Sequence, residues 1–399
     1  MKLEMAYRFF ASLRMATLAL IALAGISACA RISEPDKSDD DGWTPLGGDN
    51  VPISFSTNIN EPATKTSDPL ATIHDNFRVF GFYQRGVVDD DPAVDYTGTW
   101  NDLATEHWTP NFMYNQPVEW FNNGTPADDS DDYWRYGPVK YWPNNAENTI
   151  TFWAYSPYYD SGLVLREADG SSDDPYGSTV PGLPDIQFTS DGTRDLLISD
   201  LAQDLSHRGG DPSTVSLTFH HAMCWVDFTV TKVDPEGKYD MYLQSIEIAD
   251  IYSTAVYSQR YDRWLSPSGS TGSLTFFPEQ VGDPDEELSN TVAKEFPPKD
   301  GEGVPVRQVM PVPQRLTSSA DNTPKIRVVY AFKLKTDEGV PATAPAAEFP
   351  LGRIPGHTRW DKEAHYTYNI RISPGLPLLF TASVTPWATE ENGYFNVYE

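Results

Sequence analysis

Residues 149–155 read Thr-Ile-Thr-Phe-Trp-Ala-Tyr, which puts Ile150, Phe152 and Ala154 on one face and Thr151, Trp153 and Tyr155 on the other. A period of two carried by β-branched and aromatic side chains specifies a strand. Rings on both faces need cover on both, a second layer on one side and a long loop on the other. The strand sits in a stretch from Phe112 to Tyr158: FMYNQPVEWF, a polar loop, then YWRYGPVKYWPNNAENTITFWAYSPYY. Pro117, Pro138, Pro143 and Asn144-Asn145 mark its bends. The main reading of so many rings is the core of a β-sandwich, and the competing one is a platform on which carbohydrate stacks.

The same strand grammar recurs along the chain. Val51, Ile53, Phe55, Thr57 and Ile59 form an apolar row on a short first strand, and Phe77 to Tyr83 (FRVFGFY) forms a second. Later come Val215 to Val230, Leu243 to Ile251 (LQSIEIADI), Ser273 to Phe277, Ile326 to Leu334 (IRVVYAFKL), Tyr366 to Ile372 and Leu378 to Val384, bounded by Pro, Gly and Asp turns. With 33 Pro and 27 Gly and few segments of helical period, helices are expected to be minor. A chain of 399 residues exceeds one compact sandwich. The expectation is therefore two β-sandwich domains, 51–222 and 223–399, joined within Val215 to Val230.

A net charge of −28 argues against nucleic-acid and anionic-membrane partners. The N-terminus instead reads as an export signal. Lys2, Arg8 and Arg14 flank an apolar run from Met15 to Ala28, and Ile26-Ser27-Ala28-Cys29 places small residues before a cysteine. This resembles a bacterial lipobox, so residues 1–28 are expected to be a lipoprotein signal peptide with Cys29 as the lipidated mature N-terminus. The run is short for a membrane span, which favours cleavage over an anchor helix. An ordinary secretory signal is the competing reading. Residues 29–50 are an acidic tether, and their Ser38-Asp39-Asp40-Asp41 cluster resembles the surface-export signal of Bacteroidales-type lipoproteins. Lipidation of Cys29 would leave Cys224 without a disulfide partner, and its alternation with Val226, Phe228 and Val230 reads as a buried strand thiol.

Chemistry-bearing motifs are sparse. His220 and His221 are adjacent in a strand pattern, so they point to opposite faces and cannot serve one ion. The histidines at 74, 107, 207, 357 and 365 lack ligand spacing. Asp89-Asp90-Asp91 and Asp128-Asp129-Ser130-Asp131-Asp132 could attract calcium but lack the spacing and central Gly of an EF-hand loop. Nucleophile elbows, zinc-protease helices, phosphate loops and dinucleotide fingerprints do not occur. No catalytic residue, no metal ligand and no cofactor is therefore assigned, and the expectation is a protein that is not an enzyme.

The order FMYNQPVxW, YxPVKYWPNN, ITFWAYSPY resembles the fimbrillin family, the Mfa-like and FimA-like pilins of Bacteroidales-type fimbriae. The resemblance continues through DLL, VxLxFxHAxxxVxFxV, VMPVPQRL, HYTYNIRI and FTASVTPWATE and covers most of residues 51–390. Trp225 departs from it, since the family more often has a small residue there. The resemblance implies an all-β fold of two Greek-key (transthyretin-like) β-sandwich domains in tandem. It also implies a structural or tip/accessory subunit of cell-surface fimbriae, exported as a lipoprotein to the outer membrane, surface-exposed, and assembled with other fimbrial subunits. In that mechanism a protease removes the first strand and a neighbour's C-terminal strand replaces it, pairing through its backbone and setting register through alternate side chains. Carried onto this chain, the removable strand is Val51, Ile53, Phe55 and Ile59, and the candidate donor is Tyr394, Phe395, Val397 and Tyr398. Oral members are cut at arginine, whereas the first basic residue beyond the strand here is Lys65, and Arg78 lies inside the next strand pattern. Either a protease accepting lysine acts here, with Lys65 as the processing site, or the subunit stays uncut and serves as an anchor or accessory protein. The alternative is a surface-exposed glycan-binding lipoprotein that does not polymerise. A tip subunit would meet a host or bacterial surface glycan or protein as receptor.

Overall fold

The computed structural model describes residues 51–59, 76–84, 110–121, 132–143, 148–157, 162–166, 184–207, 213–259, 261–265, 267, 269–278, 284–298, 308–317, 323–374 and 376–386. All of them lie in the compact unit Asn50–Glu399. The strands of the first part are β1 (Ser54–Ile59), β2 (Phe77–Gln84), β3 (Met113–Phe121), β4 (Tyr133–Arg135), β5 (Thr149–Ser156), β6 (Leu163–Arg166), β7 (Asp185–Thr189), β8 (Leu197–Ser199), β9 (Ala202–Leu205) and β10 (Thr214–His221). There follow β11 (Trp225–Lys232), β12 (Tyr239–Tyr252), β13 (Thr254–Ser258), β14 (Arg263–Trp264), β15 (Thr271–Phe277), β16 (Glu286–Glu287), β17 (Lys294–Phe296) and β18 (Lys325–Leu334). The last are β19 (Ala342–Thr343), β20 (Ala347–Pro350), β21 (Ala364–Ile372) and β22 (Leu379–Pro386). Among the described residues the helical element is a single turn of 3-10 helix, Leu351–Arg353, and the described fold is all-β.

Four sheets result. The largest runs β1-β10-β8-β5-β2-β3-β4, with β9 also on β5. The two strands at its centre, β2 and β5, are covered on both faces, as their uninterrupted apolar and aromatic runs require. On one face Phe152 meets Phe55, Phe112 and Trp142 at ring separations of 5.7, 6.4 and 6.2 Å, and Phe77 meets Trp134 at 4.8 Å. The cover on this face thus comes from three pieces of chain: β1 through Phe55, the residue before β3 through Phe112, and the segment between β3 and β5 through Trp134 and Trp142. On the other face Phe80, Tyr155 and Ile198 pack against Ile186, Phe188, Ala255 and Tyr257 of a second sheet, β14-β13-β7-β6.

The third and fourth sheets, β15-β12-β18-β19 and β17-β11-β21-β22, enclose a core of their own. Strict alternation in β11, half-buried Trp225, Asp227, Thr229 and Thr231 against buried Val226, Phe228, Val230 and Lys232, turns one face toward Met241, Leu243, Ile246 and Ile248 of β12. Strand pairing crosses residue 222, because β13 and β14 follow it in sequence yet complete the sheet of β6 and β7. Gly192 marks another close approach. Its φ is +87° and a Cβ would lie 2.6 Å from Leu274 Cδ2 of β15, so a side chain there would be strained and would displace the end of Leu274.

Cys224 is fully buried just before β11, its Sγ donating to Pro311 O at 3.3 Å, and burial pushes its thiol pKa well up. His357 is buried beside β21. Trp360 Nε1 donates to Tyr368 OH at 2.8 Å, so the hydroxyl's own proton is directed to His357 Nε2, which fixes a neutral imidazole. Burial lowers the His357 pKa from 6.5 to about 4. The unfolded chain then binds a proton between those values that the folded protein does not, so stability is complete above pH 6.5 and declines as pH falls toward 4. His357→Gln keeps an acceptor for Tyr368 without titrating. Urea unfolding at pH 7 and at pH 4.5 should show that the variant loses about 2–3 kcal/mol less than the parent on acidification.

Candidate functional site

The seat of β1 is the part of the fold with the clearest capacity for recognition. Alternation along β1 and the three residues before it buries Ile53, Phe55 and Thr57, leaves Val51 and Ile59 half-buried at the ends, and turns Asn58 out; the strand itself starts at Ser54, three residues later than the sequence pattern placed it. Backbone pairing is parallel to β10, from Ser54 opposite Thr214 to Ile59 opposite Phe219, and Ser54 Oγ lies 2.7 Å from Thr214 Oγ1. The opposite edge is clasped only at its start. There Ile53 N–H donates to Lys140 O at 2.9 Å and Trp142 N–H to Val51 O at 3.0 Å. From Ser54 to Ile59 that edge pairs with no strand among the described residues.

Side chains complete the seat. Phe55 inserts edge-on among Phe77, Tyr136 and Phe152, at 6.1, 5.5 and 5.7 Å. Tyr136 OH lies 2.9 Å from Ile53 O as donor, and burial raises its pKa to about 12, so it stays a protonated donor at any physiological pH. Trp142 Nε1 donates to Ser213 O at 2.9 Å and pins the clasp to the start of β10. The arrangement can hold an extended segment by backbone bonds on two sides and by alternate side chains in an aromatic slot.

Sequence reasoning found the strand but not its partners. Tyr136, Lys140 and Trp142 lie in the aromatic stretch, and nothing in a single sequence links them to a strand some 80 residues earlier. A parallel edge pairing across 160 residues is equally invisible. The rings of the stretch divide: Phe112, Trp134, Trp142, Phe152 and Tyr155 are buried, while Tyr133 and Tyr141 are exposed. His220 and His221 do separate. His220 Nε2 lies 3.0 Å from Asp200 Oδ2, and His221 pairs with Asp195 through Nδ1. Among the described residues no three His, Cys, Asp or Glu side chains gather as metal ligands. Cys29, Lys65, Asn60 to Asp68, Asp89 to Asp91, Asp128 to Asp131, Tyr394, Phe395, Val397 and Tyr398 lie outside the described residues. Arg78 is held in β2, its Nη1 on Asn115 O.

The described residues form an all-β architecture of packed sheets, that of a β-sandwich protein. The chain belongs to the fimbrillin-like family, whose model matches residues 96–387. It is similar to the fimbrium subunit Fim1C of Phocaeicola vulgatus, 23% identical over 268 residues. That match spans 63% of this chain and 62% of the relative's length. In fold it is similar to a fimbrial protein from Bacteroides vulgatus, with a TM-score of 0.59, 17% identity, and coverage of 84% of this chain and 99% of the other.

Truncating the anchor of the seat is the direct energetic test. Phe55→Ala removes a buried ring from a slot walled by three other rings, and should destabilise the protein by about 3–5 kcal/mol in equilibrium unfolding. Asn58→Ala on the exposed side of the same strand should stay within about 0.5 kcal/mol.

Proposed function

We propose that this protein is a structural or tip/accessory subunit of fimbriae that enters the fibre by strand exchange, losing Val51 to Ile59 and receiving a strand from a neighbouring subunit. The observation that carries the reading is the seat of β1. It is an edge strand, fixed by a register to β10 and by Ile53 and Phe55, and its departure would uncover Phe77, Tyr136 and Phe152. An uncovered slot of this kind is adhesive, which ties removal of the strand to assembly.

On this reading residues 1–28 direct export, Cys29 carries lipid in the outer membrane, and 29–50 tether the precursor at the cell surface. A protease cuts at Lys65, and Tyr394, Phe395, Val397 and Tyr398 act as donor to the next subunit. Two sandwiches, 51–222 and 223–399, make up the body, the second lending the β13–β14 hairpin to the first. The role is adhesive and structural rather than enzymatic, with no cofactor, and the partners are other fimbrial subunits and a surface receptor.

Two experiments test this. Multiple acyl chains make anchoring stable where one does not. Cys29→Ser should therefore abolish fatty-acid labelling and release the protein from the outer membrane, and unchanged labelling would refute the anchor. For assembly, purified protein cut within 60–68 should grow in size by light scattering, whereas the same protein truncated before Tyr394 should not. A cut protein that remains monomeric and fully stable would sink strand exchange and leave the non-polymerising, glycan-binding lipoprotein as the better reading.

A further inference from the structure

A cleft of about 730 Å³ opens where the β13–β14 hairpin meets the extended segments 313–317 and 359–362. None of its lining residues belongs to the seat of β1. Its floor is fixed by Gln314, which accepts the N–H of Tyr252 at 3.0 Å and donates to the carbonyls of Tyr252 and Val312 at 3.0 and 3.1 Å. Trp360 N–H donates to Gln314 O and Leu316 N–H to Thr358 O, each at 2.8 Å. Half-buried Trp264 and Tyr252 line the cleft beside Pro267, Pro313 and Pro324. Trp264 is held by its Nε1 on Ala222 O and edge-on against Tyr257.

The charge of the cleft runs against that of the chain. Arg263, Arg315, Arg359 and Lys362 line it in a protein of net charge −28. Its two carboxylates are already engaged: Asp361 with Arg359 Nε at 2.7 Å, and Asp262 with Lys362 Nζ at 2.8 Å. Arg263 lies over the ring of Tyr261, and neither it nor Arg315 has a carboxylate partner among the described residues. Arg315 and Arg359 also face each other across an antiparallel bridge. Like charges directly opposite are destabilising, and a fold departs from such local rules chiefly where function requires it.

We propose that this cleft binds a short acidic oligosaccharide, with Arg315 and Arg359 taking a uronate carboxylate and Trp264 lying against a sugar face. Guanidinium forks match carboxylates in two-point geometry, and flat half-buried rings beside prolines match the apolar face of a pyranose. A peptide strand fits less well, because the backbone groups of 314, 316, 358 and 360 named above already bond to one another. A long polyanion would meet the negative remainder of the surface, whereas a short one stays within about 8 Å, the distance over which physiological salt leaves the local charges effective.

The test is calorimetric titration of the intact, uncut protein with trigalacturonate, beside maltotriose as a neutral sugar and triglutamate as an acidic peptide; it does not depend on strand exchange. Trigalacturonate should bind, Arg315→Ala and Arg359→Ala should each weaken it tenfold or more, and Arg315→Lys should weaken it less. Relief of the like-charge pair should leave the melting temperature of Arg315→Ala unchanged or raised, which also shows that the variant folds. Absence of trigalacturonate binding, equal binding of maltotriose, or equal or tighter binding of triglutamate would overturn the proposal. So would a lowered melting temperature in Arg315→Ala with binding unchanged, since the arginine pair would then be structural.

Discussion

The packing of rings around Phe152 is the contact on which the first half of this structure depends. Phe55 reaches it from β1, Phe112 from the start of the β3 hairpin and Trp142 from the segment before β5, so one side chain joins three pieces of chain far apart in sequence. Full burial of a ring of this size contributes on the order of 1.5–3 kcal/mol, and edge-on pairs add about 0.5–1.5 kcal/mol each. The backbone follows from the packing. Gly81, opposite Phe152 in β2, has Phe112 Cδ1 only 3.2 Å from where a Cβ would stand, so a side chain there would press on the Phe112 ring.

That cluster also explains which parts of the fold were legible in the sequence. Strands β5, β11, β12, β18 and β21 were readable because each must satisfy a buried face, and burial imposes the period of two on the residues themselves. The cover over both faces of β5 was readable for the same reason. Partnerships were not readable. The parallel pairings of β1 with β10 and β11 with β21, and the crossing of β13 and β14 into the sheet of β6 and β7, depend on which apolar face finds which. Many partners satisfy the same alternation. The Trp225 that departs from the family pattern is a particular case: it stacks on His365 with centroids 4.0 Å apart, an arrangement created by the parallel register of β11 and β21 and absent from either strand alone.

The candidate site divides the same way. The strand through Phe55 and Ile59 was recognisable from its spacing, though it starts at Ser54 with Val51 and Ile53 in the segment before it, but the clasp of Tyr136, Lys140 and Trp142 was not, since those residues read equally well as core. The arginines of the cleft carried no signal at all. Arg263, Arg315 and Arg359 are scattered through the second half, and only the bridge between the segments of 315 and 359 brings two of them face to face.

The energetics of the β1 seat constrain what any replacement strand must be. Departure of β1 forfeits its ladder to β10, each bond worth about 0.5–1.5 kcal/mol net, together with the burial of Ile53 and Phe55. An incoming strand recovers those terms but also pays an association cost of about 4–15 kcal/mol that an intramolecular strand does not. It can do so only if the slot is already formed. Here the slot walls are held by contacts independent of β1: Phe77 on Trp134 and Phe219, Trp142 on Phe152, and Trp142 Nε1 on Ser213 O. A donor must therefore bring large apolar side chains at alternate positions to match the pockets of Ile53 and Phe55, and a segment offering backbone alone would not hold.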